Sequence, residues 1–319
     1  MEQNQLRETQ NSPITDAESV CDSKKRFWEI DFARGICVIL MIFDHLMYSF
    51  AVVAPFVGTL FGTDMWSGAA EFAVWYWRHP VRDVIRPIIV CAFFIICGVS
   101  CTLSRSEIKR GALTFLLGCG ITTVTSIVDL GFELGITILF GVLHMLGVAM
   151  LSYGLIDKLG KRIEKLGTSQ KSKNVYGFFG KYLPCIVGIL LLAVYFIWLG
   201  HIENMKFVSD IEVKNESLKP IVSIFTQVKN YNFVQYSHDY FALLPYGAIV
   251  LLGSGIGKAV YRSKLRNYAA KADGKWNKPV CFIGRHTLIV YVVHLILIVA
   301  VLELASYFGF HEWLFLDMF

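Results

Sequence analysis

Seven stretches of this chain (30–53, 85–103, 111–128, 134–156, 180–200, 241–260 and 282–303) are apolar enough to cross a bilayer. A spanning helix needs about 20 such residues, whereas a membrane β-strand needs only about ten. In hydrocarbon every backbone polar group must be paired internally, so runs of this length leave a helical bundle as the fold. The composition agrees, with 55% hydrophobic and 17% charged residues against roughly 25% charged in an ordinary globular chain. Disordered, collagen-like and soluble globular classes are thereby excluded. The expectation is an all-α, polytopic membrane bundle of about seven helices over 26–305. A polar tail precedes it at 1–25 and a short tail follows at 306–319. The first 28 residues contain no short apolar core of a cleavable signal peptide. The segment 66–77, too short to span and rich in aromatics, reads as a half-buried helix at the membrane interface.

Orientation follows from the Lys and Arg of the short loops. Loops 104–110, 157–178 and 258–280 carry 16 Lys/Arg against 4 Asp/Glu. The alternate set, 55–87, 129–133, 201–240 and 303–319, carries 7 Lys/Arg against 13 Asp/Glu. The chain is therefore expected to start in the cytoplasm and end outside, as a multi-pass protein with the lipid bilayer as its main surroundings. The modest net charge of +5 is absorbed by this asymmetry, and no nucleic-acid partner is expected. The eight cysteines lie in or beside apolar runs, apart from Cys21, and none falls in 54–84 or 201–240, where a disulfide framework would sit. Cys97 and Cys101 are one helical turn apart, a spacing that suits a metal pair and, in an apolar helix, suits small packing residues better.

Ionisable groups inside a bilayer are costly and mark functional sites. The first span carries Asp31, Arg34, Asp44 and His45. Eleven residues separate Arg34 from His45, so both face one side, about 16 Å apart along the axis. Asp31, three residues before Arg34, can pair with it. A cation near one end and an imidazole deep in the span suit an elongated anionic ligand with a reactive tip, the shape of a coenzyme A thioester. A structural ion pair and a packed histidine fit the same spacing. Asp44 points about 100° away from His45, toward another helix, and Ser49 is the better-placed local partner of His45. The last span adds GRHTLIVYVVH at 284–294, with Arg285 at its entry and Tyr291 and His294 within it. Arg285 fits a second phosphate contact or a side chain reaching to the interface. His144 is a third intramembrane histidine, but the neighbours that usually complete a zinc site are missing, and no metal is expected.

Six stretches together resemble one family. They are RFWEIDFARGICVILMIFDH (26–45), FFIICGVSCTLSRS (93–106), KRGALTFLLGCGITTVT (109–125), ILFGVLHMLGVAML (138–151), DYFALLPYGAIVLLGSGIGKAVY (239–261) and GRHTLIVYVVH (284–294). In this order they are similar to the bacterial relatives of heparan-α-glucosaminide N-acetyltransferase, within a broader group of transmembrane acyltransferases whose first helix carries an Arg-x10-His pair, here Arg34 and His45. The resemblance implies a bacterial plasma-membrane enzyme that moves an acetyl group from cytosolic acetyl-CoA to a hydroxyl or amine of an extracytoplasmic glycan or amino sugar. It implies His45 as the catalytic histidine. The animal enzyme's use of a histidine in the luminal loop after its first helix makes His79, in WYWRH, the alternative. Asp239 would orient the acceptor or the catalytic histidine, or else serve as a helix N-cap. Arg34, Arg285 and Asp31 would form the coenzyme A end. Trp75, Trp77, His294 and Tyr291 would form the acceptor side. Two rivals remain: a proton-coupled transporter using the Asp/His set, and a non-catalytic membrane scaffold.

Overall fold

A computed structural model describes residues 27–53, 67–104, 106–132, 135–237, 239–260 and 274–307. The tail at 1–25, and all of 306–319 beyond 307, lie outside these. The chain is helical apart from one small hairpin. Helix α1 (Trp28–Tyr48) runs on through a π-helical turn (Ser49–Val53) and is followed by the short α2 (Ser67–Arg78). Then come α3 (Pro80–Leu103), α4 (Glu107–Phe132), α5 (Val142–Glu164) and α6 (Gln170–Val194), the last extended by a π-helical turn (Tyr195–Leu199). The antiparallel hairpin β1 (Gly200–Glu203) and β2 (Lys206–Ser209) precedes a small helix, α7 (Lys219–Phe225). Helices α8 (Leu243–Val260), α9 (Lys278–Arg285) and α10 (Thr287–Tyr307) close the chain.

Six helices among the described residues are long and apolar enough to span, and the α9–α10 pair, bent by 91°, makes a seventh if taken as one span. The apolar run 282–303 is thus not one straight helix. At the break, the Thr287 hydroxyl donates to the Gly284 carbonyl at 2.8 Å, and His286 Nδ1 meets the Phe282 carbonyl at 2.9 Å. Such local side-chain bonds compete with continued helix geometry. In the run 134–156 the described residues 135–141 are likewise not helical. Ile136 N–H and the Thr137 hydroxyl both donate to Asp129, and Ile138 and Gly141 bridge to Ser237 and Tyr240. Helix α5 begins only at Val142.

Helix α8 is the hub, packed against α3, α5 and α6, while α1 packs against α9, α3, α10 and α2. Glycines make these approaches possible. A Cβ added at Gly98 of α3 would stand 1.9 Å from the Val250 carbonyl oxygen of α8, and one at Gly253 would stand 2.3 Å from that of Ile95. In lipid no hydrophobic effect drives helices together, so this backbone-to-backbone contact supplies much of the packing energy. Phe94, Phe140, Leu143, Met145 and Val250 fill the core between α3, α5 and α8. Gly98→Ala is expected to push α3 from α8 and to lower stability by about 1–3 kcal/mol or more. Thermal unfolding in detergent measures this, and an unchanged midpoint would show that the two backbones are not in contact.

Candidate active site

The polar groups of α1 face two different neighbours. Toward α9 and α10, the Arg34 guanidinium lies 3.6 Å from Asp31 and donates to the Gly284 carbonyl at 3.1 Å and to the Ser100 hydroxyl of α3. Arg285 reaches Asp31 from the other side at 3.5 Å. Arg34 is thereby engaged on three helices, whereas the Arg285 side chain stays 40% exposed. Asp31, Arg34 and Arg285 form one cluster at the end of the bundle where α1 begins.

Farther along the same side of α1, His45 meets His294 of α10. His45 Nδ1 lies 2.9 Å from the Met41 carbonyl and 3.4 Å from His294 Nε2. His294 Nδ1 lies 2.6 Å from the Tyr291 carbonyl. A carbonyl only accepts, so both rings carry their proton on Nδ1. This leaves the His294 Nε2 lone pair turned to His45 and the His45 Nε2 lone pair without a hydrogen-bond partner among the described residues. The Tyr291 hydroxyl donates to Asp239, whose Oδ2 also accepts from the Val142 N–H at 3.1 Å. Continuous contacts therefore run from the start of α5 through Asp239, Tyr291 and His294 to His45. Ser49 is not part of this line, since its hydroxyl turns back to the His45 carbonyl at 3.0 Å and never meets the ring. The side chain of Ser49 satisfies the backbone where α1 passes into its π-helical turn, a distortion common beside functional groups.

Asp239 precedes α8 and lies outside the spans. Burial raises its carboxyl above the ordinary range, against the opposing pull of the Tyr291 and Val142 hydrogen bonds and of the nearby Arg86 charge. The native state therefore holds this proton to higher pH than the unfolded chain, so the group's contribution to stability falls as pH rises through the raised value. Asp239→Asn is expected to flatten the decline in unfolding midpoint from about pH 4 upward, the region above the ordinary Asp value. An unaltered pH profile would count against a raised carboxyl.

The opposite flank of α1 holds Asp44. It accepts two hydrogen bonds from Arg82, at 2.8 and 3.1 Å, and one from the Tyr76 hydroxyl at 3.1 Å, with Arg86 3.4 Å away. Arg82 is buried and lies 3.6 Å over the Trp77 ring. Sequence reasoning passed over Arg82 and Arg86 as loop charges. Their i, i+4 spacing at the start of an apolar run was the available signal. Trp75 is 56% exposed, stacks on Phe72 and meets His79 at a tilt, ring centres 4.8 Å apart. His79 Nδ1 accepts the Val81 N–H at 3.3 Å and caps α3, so this histidine stands apart from the His45–His294 pair. His144 is buried, with Nδ1 accepting from Gly141 N–H at 3.2 Å, and so closes the first turn of α5. Among the described residues no group of three or more His, Cys, Asp or Glu side chains gathers as a metal site requires.

Comparison with known proteins yields one strong match. The family described as "Heparan-alpha-glucosaminide N-acetyltransferase, catalytic" matches residues 26–167 and 177–296, a range that holds His45, Tyr291, His294, Asp239 and both arginines of the α1–α9 cluster. No curated protein and no solved structure matches significantly. Most of the chain is covered and the bundle is that of a membrane protein, so the chain belongs to the heparan-alpha-glucosaminide N-acetyltransferase catalytic family, a family of membrane acetyltransferases.

Proposed function

We propose that this protein transfers an acetyl group from acetyl-CoA, bound at the Lys/Arg-rich cytoplasmic face of the plasma membrane, to a hydroxyl or amine of an extracytoplasmic glycan or amino sugar. The observation that carries the reading is the His45–His294 contact at 3.4 Å, which leaves His45 Nε2 free to act as a base. His45 Nε2 takes the proton of the acceptor O–H or N–H, and the acceptor's electron pair bonds to the thioester carbonyl carbon. The C–S bond then breaks with its electrons on sulfur, which recovers the proton from the imidazolium. While His45 is charged, its Nδ1–H is held by His294 Nε2 and the Met41 carbonyl, an arrangement that orients the ring. A contact long in the resting enzyme tightens once one partner is ionised. Asp239 and Tyr291 position the α10 turn that carries His294.

Arg285, half-exposed, is the better placed of the two arginines to meet phosphate, while Arg34 fixes α1 against α3 and α9. Trp75 offers an open ring face to a sugar, and Trp77, covered by Arg82, supports the site from behind.

The test is transfer of label from radiolabelled acetyl-CoA by purified protein, with glucosamine or cell-envelope glycans as acceptors. Label transfer that drops about 100-fold in His294→Ala and persists in His79→Ala is expected. Loss of transfer only in His79→Ala would move the reaction to the Trp75–His79 surface. Proton-linked solute flux without acetyl-CoA use would make the protein a transporter.

A further inference from the structure

Both ends of α9 return to the same short stretch of α1, residues 28–32. At one end Arg285 approaches Asp31. At the other, Trp276, just before α9, packs edge-on against Trp28 and Phe32, with ring centres 5.8 and 5.2 Å away. Trp28 and Phe32 are themselves 6.0 Å apart, so the three rings brace one another. Trp276 nevertheless remains 61% exposed. Lys278 and Arg285 are both exposed and seven residues apart, which leaves about 20° between them around α9 and about 10 Å along it. Lys275 is exposed beside the tryptophan. A braced indole that stays largely exposed, with cations spaced along the adjoining helix face, has the form of a site for a heteroaromatic base that carries several phosphates.

We propose that Trp276 is the platform for the adenine ring of the acyl donor and that Lys278 and Arg285 take its phosphates. This rests on the acetyl-CoA reading above and adds to it the residues that grip the nucleotide. The indole supplies a flat face held edge-on by two neighbours, so little side-chain freedom is lost on stacking. The base is recognised by its face, and the phosphates give the direction in which the donor's arm leaves. Arg285 lies beside Arg34, so a donor held here points along the side of α1 that carries His45. An ordinary interfacial tryptophan would serve the membrane equally well without a nucleotide, and the experiment separates the two.

The full chain, purified in detergent, is assayed with acetyl-CoA and with S-acetylpantetheine, which lacks adenine and all phosphates. Trp276→Ala is expected to raise the KM for acetyl-CoA about tenfold, the usual loss when one base–aromatic stack is removed, and to leave that for S-acetylpantetheine unchanged. Lys278→Glu is expected to act on the same donor only. Equal effects on both donors, or no effect on either, would overturn the proposal. Binding of adenosine 3′,5′-bisphosphate by calorimetry judges it independently of catalysis. Binding weakened about tenfold in Trp276→Ala supports the platform even if no acyl transfer is found, and undiminished binding in the variant overturns it even if transfer is robust.

Discussion

His45→Ala is expected to lower kcat for acetyl transfer by about 10²–10⁴-fold, the range for losing a positioned general base, with little change in the KM for the donor. The reasoning is local. His45 offers the free Nε2 lone pair, and its other nitrogen is committed to the Met41 carbonyl and to His294. Alanine removes the base without disturbing the Asp31–Arg34–Arg285 cluster, about three turns away along α1. His45→Gln is the informative companion, because it keeps polarity and volume while lacking a basic nitrogen, and it should be as inactive as alanine. A His45→Gln variant with near wild-type kcat would remove His45 from proton transfer.

Asp44→Ala carries the second large effect, on stability. It strands the buried Arg82 guanidinium, which otherwise gives two hydrogen bonds to this carboxylate, and frees the Tyr76 hydroxyl. Breaking a buried pair by removing one partner costs about 3–5 kcal/mol, because the other charge is left uncompensated. The unfolding midpoint in detergent should fall by about 10 °C. Replacing both partners, as in Asp44→Leu with Arg82→Met, should recover most of the loss, since the buried cation goes too. If the single variant unfolds like the wild type, solvent or the Trp77 ring is already satisfying Arg82.

The sequence made the class of fold legible because hydrocarbon permits so few solutions: seven apolar runs sufficed. Asp31, Arg34 and His45 stood out for the same reason, as charges where charges are expensive. The failures have physical causes of their own. Hydrophobicity averaged over a window does not register that Thr287 and His286 turn their side chains onto the preceding carbonyls and end α9. Nor does it register that Asp129 gathers the backbone and side chain of 136–137 into a non-helical approach to α5. Arg82, the main partner of Asp44, lies 38 residues onward. Helical periodicity speaks only of neighbours within a few turns, so it showed that Asp44 turns away from His45 and gave no destination. The contact between His45 and His294 spans 249 positions, and no local rule reaches that far.

Adjacent residues of α1 are thus fastened in different directions, Asp44 to α2 and α3, and His45 to α10, with Arg34 bolted to α3 and α9 nearer the other end. An axle pinned on two sides and at two depths neither turns nor slides. A third of a turn would tear out every pin together. On the proposed reaction, the cargo crosses by the reach of its own flexible arm, past a shaft that stays still.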